Sequence, residues 1–374
     1  MTMTLRANIL IAGKTGVGKS TFINYIYGEN IAQTGAGKPV TGYRLHKYTY
    51  EENGVLYSIY DTWGLEADKA AQWEELIMDE VKKRDDNLSI KDWFHTIFYC
   101  FSATTARIES FEIDNILKPL IASGNNVCII FTHADVPHAK EKIAAMREVL
   151  LEKVSPHLSM INVSSERKVL LGGTVVEPFG KQLVWDYVKH SLWRDLKRKL
   201  PLQVESFTLQ RLDESYNEME NIISRYKHWS RRSTLQRIER ELKEKWELLV
   251  TDIVTALDEL MQEAIVYYFK LMGRLLKVDD IKVNVILEQV KEQYKTGKGI
   301  LEHNYLFMLL IERYPLVEGI VKLIQNHFVR KKLNERIAAK YVHFKTKIIP
   351  EIVEHYVEQI DRFEQQLLLM EPER

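Results

Sequence analysis

A chain of 374 residues has room for two or three domains, and 45% apolar with 28% charged residues suits a soluble protein with a substantial core. The 52 basic side chains cancel the 52 acidic ones, so bulk charge argues for neither nucleic acid nor an anionic membrane as partner. Two cysteines cannot frame a disulfide-rich miniprotein and no run approaches the roughly 18 apolar residues of a membrane span, so secreted miniprotein, integral membrane protein and disordered tail are excluded.

The opening MTMTLRANILIAG has one Arg and a short apolar run that enters a glycine loop, and it reads as a buried first strand, Ala7 to Ala12, not a signal peptide. A helix follows over Lys19 to Tyr27. Strand-like Tyr43 to Tyr50 and Val55 to Tyr60 flank Asn53-Gly54, a hairpin signal. Further strands are expected at Phe94 to Phe101, Val127 to Thr132 and Leu158 to Val163. Amphipathic helices alternate with them at Glu66 to Arg84, Glu109 to Ala122 and His138 to Glu152. A last helix of this half starts near Lys181 and heads towards Leu200. The alternation implies a mostly parallel, six-stranded α/β sheet covered on both faces, with one antiparallel hairpin strand. Cys100 and Cys128 sit inside apolar runs, as reduced core thiols of a cytoplasmic protein would.

Thirteen of the 17 glycines precede residue 181, whereas Leu202 to Met272 contains neither Gly nor Pro. The change near Lys199-Leu200-Pro201 divides the chain into 1–200 and an all-helical 201–374. Val250, Ile253, Leu257, Leu260, Ala264, Tyr267 and Leu271 form an apolar seam that an intramolecular bundle or a coiled coil would produce; it stops at Arg274. More helices are expected over Asp280 to Lys295, Ile300 to Arg330 and Leu333 to Gln366. Gly297-Lys298-Gly299 marks a turn, and Pro315 and Pro350 should kink or divide the last two.

The first chemical signal is Gly13-Lys14-Thr15-Gly16-Val17-Gly18-Lys19-Ser20, which matches G-x-x-x-x-G-K-[ST] between a strand and a helix. Its glycines let successive backbone N–H groups curl around phosphate oxygens at a helix N-terminus. Lys19 would bridge the β- and γ-phosphates, Ser20 would ligate Mg²⁺, and Thr21 completes the loop. Asp61-Thr62-Trp63-Gly64 follows a strand, as D-x-x-G should: Asp61 for the magnesium ion, the Gly64 N–H for the γ-phosphate. Thr132-His133-Ala134-Asp135 ends another strand. An Asp here can accept both the N1–H and the exocyclic amine of guanine, a donor pair that adenine lacks. Thr132 and His133 replace the Asn and Lys of the commoner N-K-x-D form. Asp135 as a plain cap of the following helix is the competing reading. Ser164 and Ser165, in Asn162-Val163-Ser164-Ser165, lie where backbone amides could meet the guanine O6.

Taken in this order, GKTGVGKS, DTWG, THAD and NVSS resemble the GTPase domain of the translation-factor-related class of P-loop proteins, over about the first 200 residues. The forms GKTGVGKS and THAD resemble the septin-like and chloroplast-import-receptor-like branch; DTWGLE is similar to bacterial ribosome-binding GTPase domains. The C-terminal half resembles no named family. The resemblance implies a Ras-like sheet, binding of GTP and GDP with Mg²⁺, slow hydrolysis and nucleotide-dependent assembly. It also implies a first switch between Asn30 and Gly42, whose Mg²⁺ ligand is Thr41 or Thr34. Thr41 is preferred because it directly precedes a strand, and Gly35, Gly37 and Gly42 would let the loop order and disorder.

Ras-like enzymes orient the attacking water with a Gln just after D-x-x-G; here that place holds Leu65, followed by Glu66. Hydrolysis should therefore be slow without help from elsewhere in the chain or from a partner. Gly16 stands where some cation-activated relatives place Asn. Arg44 and Arg107 are candidate arginine fingers across a dimer, against the plainer reading of surface arginines. The basic-aromatic run Arg225 to Arg232 is a solvated turn or a phosphate-binding patch, and the 11 histidines show no metal-site spacing. The expected function is a GTP-hydrolysing switch with Lys19, Thr41 and Gly64 at the reaction and the helical half as effector or assembly element. The alternatives are a GTP-binding scaffold with little hydrolysis and a dynamin-like membrane remodeller. Expected partners are a homodimer through the first domain and a protein effector; membrane or ribosome contact has no motif behind it.

Overall fold

The computed structural model describes residues 5–28, 31–32, 45–62, 64, 70–85, 89–169, 175–226, 232–295 and 329–368. Thr34, Thr41, Arg44, Trp63, Leu65, Glu66, most of the 225–232 run, the Gly297-Lys298-Gly299 turn and most of 300–330, Pro315 included, lie outside them.

The first elements are β1 (Leu5–Gly13), α1 (Lys19–Tyr27), β2 (His46–Glu52), β3 (Val55–Asp61) and α2 (Ala70–Asp85). There follow β4 (Thr96–Ser102), a wide π turn Glu112–Leu117 running into α3 (Lys118–Ala122), β5 (Val127–Thr132), α4 (Ala139–Lys153) and β6 (Ser159–Asn162). The sheet order is β2-β3-β1-β4-β5-β6, parallel except for β2. The expected hairpin turns at Asn53 and Gly54, both with positive φ (52° and 72°), as a two-residue hairpin loop requires.

Strands β1, β4 and β5 are buried on both faces, which is why they read as unbroken apolar runs and not as alternation. On one face Leu10, Tyr99, Phe101, Ile129 and Phe131 form a core with Trp73 and Ile77 of α2 and Ile143, Met146 and Leu150 of α4. On the other, the Phe22 ring of α1 meets Phe98 edge-on at 5.8 Å.

A small antiparallel hairpin, β7 (Lys168–Val169) with β8 (Val175–Val176), precedes α5 (Lys181–Arg225). The helix expected to stop near Leu200 instead runs 45 residues, straight through Pro201. Leu196, Leu200 and Val204, four apart and all buried, carry one apolar stripe past the proline; that burial overrides the local break.

Next come α6 (Arg232–Leu275), α7 (Asp280–Lys295), α8 (Val329–His343), a π turn Phe344–Ile348 and α9 (Ile349–Leu368). All seven residues of the expected seam in α6 are buried within this single chain. Pro350 sits in the first turn of α9, right after the π turn, where its missing N–H breaks no bond of the helix interior.

The chain forms two compact units: described residues up to Lys199 together with Tyr267–Val283, and Leu200–Val266 with Asn284–Leu369. In the first, the Tyr267 hydroxyl donates to the Arg6 carbonyl and its ring stacks on His95 with centroids 5.8 Å apart. In the second, Trp246 meets Phe344 edge-on at 5.5 Å, the Tyr341 hydroxyl donates to Asp213 and Arg211 pairs with Asp252. Among the described residues, no helix is long and apolar enough to cross a membrane.

Candidate nucleotide site

The residues singled out from the sequence gather at the carboxyl ends of the parallel strands, where open α/β sheets bind their ligands. The loop Gly13–Ser20 leaves β1 and opens α1; Asp61 ends β3, Thr132 ends β5, and Ser164 follows β6. Parallel register brings Ile11 level with Asp61, and the Thr62 N–H donates to the Ile11 carbonyl at 3.0 Å. Sheet pairing thus sets Asp61 beside the phosphate loop.

Two glycines are required by contact. Gly13 has φ 142°, and a Cβ there would stand 2.6 Å from the Cys100 carbonyl oxygen. A Cβ at Gly64 would lie 2.3 Å from Thr15 Cα, so the D-x-x-G segment presses directly on the phosphate loop. Within the loop, Thr15 and Gly16 are exposed, Val17 is buried, and Gly18, Ser20 and Thr21 are half-buried. The Phe22 N–H donates to the Gly18 carbonyl, closing the first turn of α1.

Lys19 is buried and its ammonium donates to the Gly13 and Lys14 carbonyls, each at 3.0 Å. Burial lowers its pKa, and the Asp61 carboxylate opposes that shift. Asp61 is buried as well; desolvation pushes its carboxyl up to about 6 against the pull of Lys19 and His46. Asp61 Oδ1 and Thr62 Oγ1 have no hydrogen-bond partner. A buried carboxylate oxygen without a donor is costly unless a cation supplies the missing charge, so Asp61 fits a magnesium ion.

Lys14 goes elsewhere. Its ammonium pairs with Glu112 at 2.7 Å and Glu109 at 3.3 Å, and Glu112 is fully buried, accepting also from the Tyr99 hydroxyl and the Glu109 N–H. Glu109 and Glu112 carried no signal in the sequence: each is one acidic residue in an amphipathic stretch, and only the π turn brings Glu112 under the loop. Arg107, a candidate finger, is exposed and lies 3.6 Å from Glu109.

At the base-selecting end, Thr132 was expected to help bind the nucleotide. Its hydroxyl is committed to the Val17 carbonyl at 2.5 Å and the Phe101 carbonyl at 3.2 Å, so it ties the phosphate loop to β4 and β5. His133 holds a left-handed backbone (φ 53°), the strained conformation common at functional turns. Its imidazole lies against Gly18, and burial together with Lys168 lowers its pKa, so it is neutral near pH 7. The Asp135 side chain is 1% exposed, with Oδ1 unpartnered and Oδ2 2.8 Å from the Lys168 ammonium. Burial raises its pKa, but hydrogen bonds and the Lys168 charge outweigh burial and hold it below the usual carboxylate range. Asp135 is therefore a buried acceptor and not a helix cap: α4 is preceded by His138 and has no side-chain cap. Ser164 is buried, its backbone paired both ways with Phe179; Ser165 lines the same small cavity as His133.

Residues 8–133 match the family model described as 50S ribosome-binding GTPase. Over 76 residues the chain is 42% identical to translocase of chloroplast 108 of Physcomitrium patens, covering 20% of this chain and 8% of that protein. Over 160 residues it is 30% identical to translocase of chloroplast 101 of the same organism, covering 39% of this chain and 17% of the relative. The chain thus spans only a small part of the curated relatives it matches. Arabidopsis thaliana Toc33, solved with Mg²⁺ and GMPPNP, is 16% identical over 50% of this chain and 85% of its own, with a TM-score of 0.38. With the phosphate loop, the Asp61 carboxylate and the buried Asp135 at the strand ends, residues 8–133 are similar to a P-loop GTPase domain.

Proposed function

We propose that the chain is a guanine-nucleotide switch that binds GTP and GDP with Mg²⁺ and hydrolyses GTP slowly, the helical unit serving as effector or assembly element. One observation carries the reading: Lys19 sits buried on carbonyls of its own loop, and the buried Asp61, whose charge acts on it, keeps an oxygen with no hydrogen-bond partner. A phosphate would exchange those carbonyls for stronger charge-assisted bonds.

Ser20, Asp61 and Thr41 would hold the magnesium ion, which when bound neutralises charge on the β- and γ-phosphates. Backbone amides of Gly13 to Ser20 would cradle the phosphates, and Gly64, pressed against Thr15 of that loop, would offer its N–H to the γ-phosphate. Asp135 selects guanine. Leu65 cannot hydrogen-bond a water, so turnover is well below the roughly 10 s⁻¹ typical of enzymes. The free, buried Cys100 and Cys128 suit a reducing cytoplasm.

The test is phosphate release from GTP and ATP with Mg²⁺. Release from GTP alone, reduced about 10²–10³-fold in Lys19→Ala, is the expected result. Equal release from ATP, or none above buffer at high protein concentration, overturns it. Leu65 also motivates a second reading, a scaffold that keeps its GTP; single-turnover kinetics with bound GTP surviving many hours would favour it.

A further inference from the structure

The cavity where a base would enter is bounded by Gly18, Thr21, Thr132, His133, Ser165 and Lys168, and its volume is about 10 Å³, room for one water. The wall nearest the selecting carboxylate is Lys168, whose ammonium lies 2.8 Å from Asp135 Oδ2. The Lys168 side chain is 32% exposed and stands on the two-residue strand β7, paired only to β8, Lys168 opposite Val176. So short a ladder gives way easily.

We propose, on the guanine-nucleotide reading above, that Lys168 is a specificity-setting plug whose ammonium occupies the Asp135 oxygen that the guanine 2-amino group needs. Guanine presents two donors to a carboxylate, N1–H and the 2-amine. Asp135 offers two oxygens: Oδ1 has no partner, and Oδ2 is taken by a full positive charge. N1–H can bond Oδ1 at once. The 2-amine must displace or share an ion pair, and a neutral amine competes poorly with an ammonium for a carboxylate. Inosine keeps N1–H and lacks the 2-amine, so it escapes this competition. The intact protein therefore discriminates weakly between guanosine and inosine nucleotides. Charge is the cause, so an arginine at this position plugs the site as well, whereas a methionine of similar length opens it.

The experiment is calorimetry of GDP and IDP, with Mg²⁺, on the full chain and on Lys168→Met and Lys168→Arg. The expected result is a GDP affinity about tenfold higher in K168M with IDP changed less than about twofold, so that the GDP-to-IDP ratio rises about tenfold. K168R should keep the ratio of the unaltered protein. An unchanged or lower ratio in K168M overturns the proposal, as does a K168R that behaves like K168M. These outcomes leave GDP binding intact and so spare the nucleotide reading; a chain that binds neither GDP nor IDP removes both.

Discussion

At the residue scale, Asp61 makes the site dependent on pH. Burial disfavours the charge and pushes its carboxyl up to about 6, well above the usual carboxylate range. The native state therefore keeps a proton that the unfolded chain gives up. Without a cation, stability contributed by this group declines as pH rises from about 4 through about 6. A magnesium ion reverses the preference, since it needs the ionised oxygen. Affinity for Mg²⁺ with GDP should be full above about pH 7 and fall towards tenfold per unit below about 6, and Asp61→Asn should flatten that acid limb. Calorimetry across pH checks this; a profile unchanged in the variant refutes it. Thr132 yields a second prediction. Thr132→Val keeps the shape and removes the hydroxyl that holds the Val17 carbonyl, which should cost about 1 kcal/mol and weaken nucleotide binding several-fold. The place of Asp135 just past the end of β5 was legible in the sequence alone. The role of Thr132 was not, because its acceptors lie 115 and 31 residues away.

At the element scale, α5 was the least legible part of the fold. Pro201 is a strong local stop, and only burial on both sides of it keeps the helix going. The same helix carries an unusual group one turn before Lys199. Asp195 is fully buried with neither oxygen hydrogen-bonded, and burial pushes its carboxyl up to about 8, Lys199 pulling it down and Asp85 pushing it further up. Lys199 itself donates to Asp85 at 2.8 Å. The native state holds the Asp195 proton while the unfolded chain releases it above about pH 4, so stability falls as pH rises from about 4 to about 8. Asp195→Asn keeps the shape and removes the charge. Its melting midpoint should exceed that of the unaltered chain by several degrees near pH 8.5, by less near pH 5, and match it closely only near pH 4. His95, held neutral by burial with its pKa lowered to about 3, costs stability below about pH 6.5 in both proteins and cancels from the comparison. A midpoint difference that does not grow with pH contradicts this account.

At the scale of the whole molecule, the chain combines a unit built on the α/β sheet with a helical unit, and residues 267–283 of α6 and α7 belong to the first. Tyr267 there bonds the Arg6 carbonyl and stacks on His95, at the strand ends opposite the phosphate loop. A switch must change assembly or partner affinity between its nucleotide states. Light scattering after size exclusion should show a larger mass with a non-hydrolysable GTP analogue than with GDP, and identical masses in both would exclude assembly by self-association. Nothing in α6 announced that 267–283 belong to the first unit. Its seam of threes and fours reads the same wherever the buried face goes, since periodicity states that a face is covered and not by what.

What the residues determined alone was local: a phosphate loop between strand and helix, a hairpin at Asn53-Gly54, two-sided burial of β1, β4 and β5, and the place of the Asp135 carboxylate just past β5. Each depends on neighbours within a few positions, through backbone conformation, side-chain period or motif spacing. The tertiary structure alone decided that Thr132 braces the loop, that Glu112 captures Lys14, that α5 passes Pro201, and that Lys168 lies on Asp135. Those outcomes join residues far apart in the chain, and their energies come from burial and charge pairing that exist only after the chain has folded.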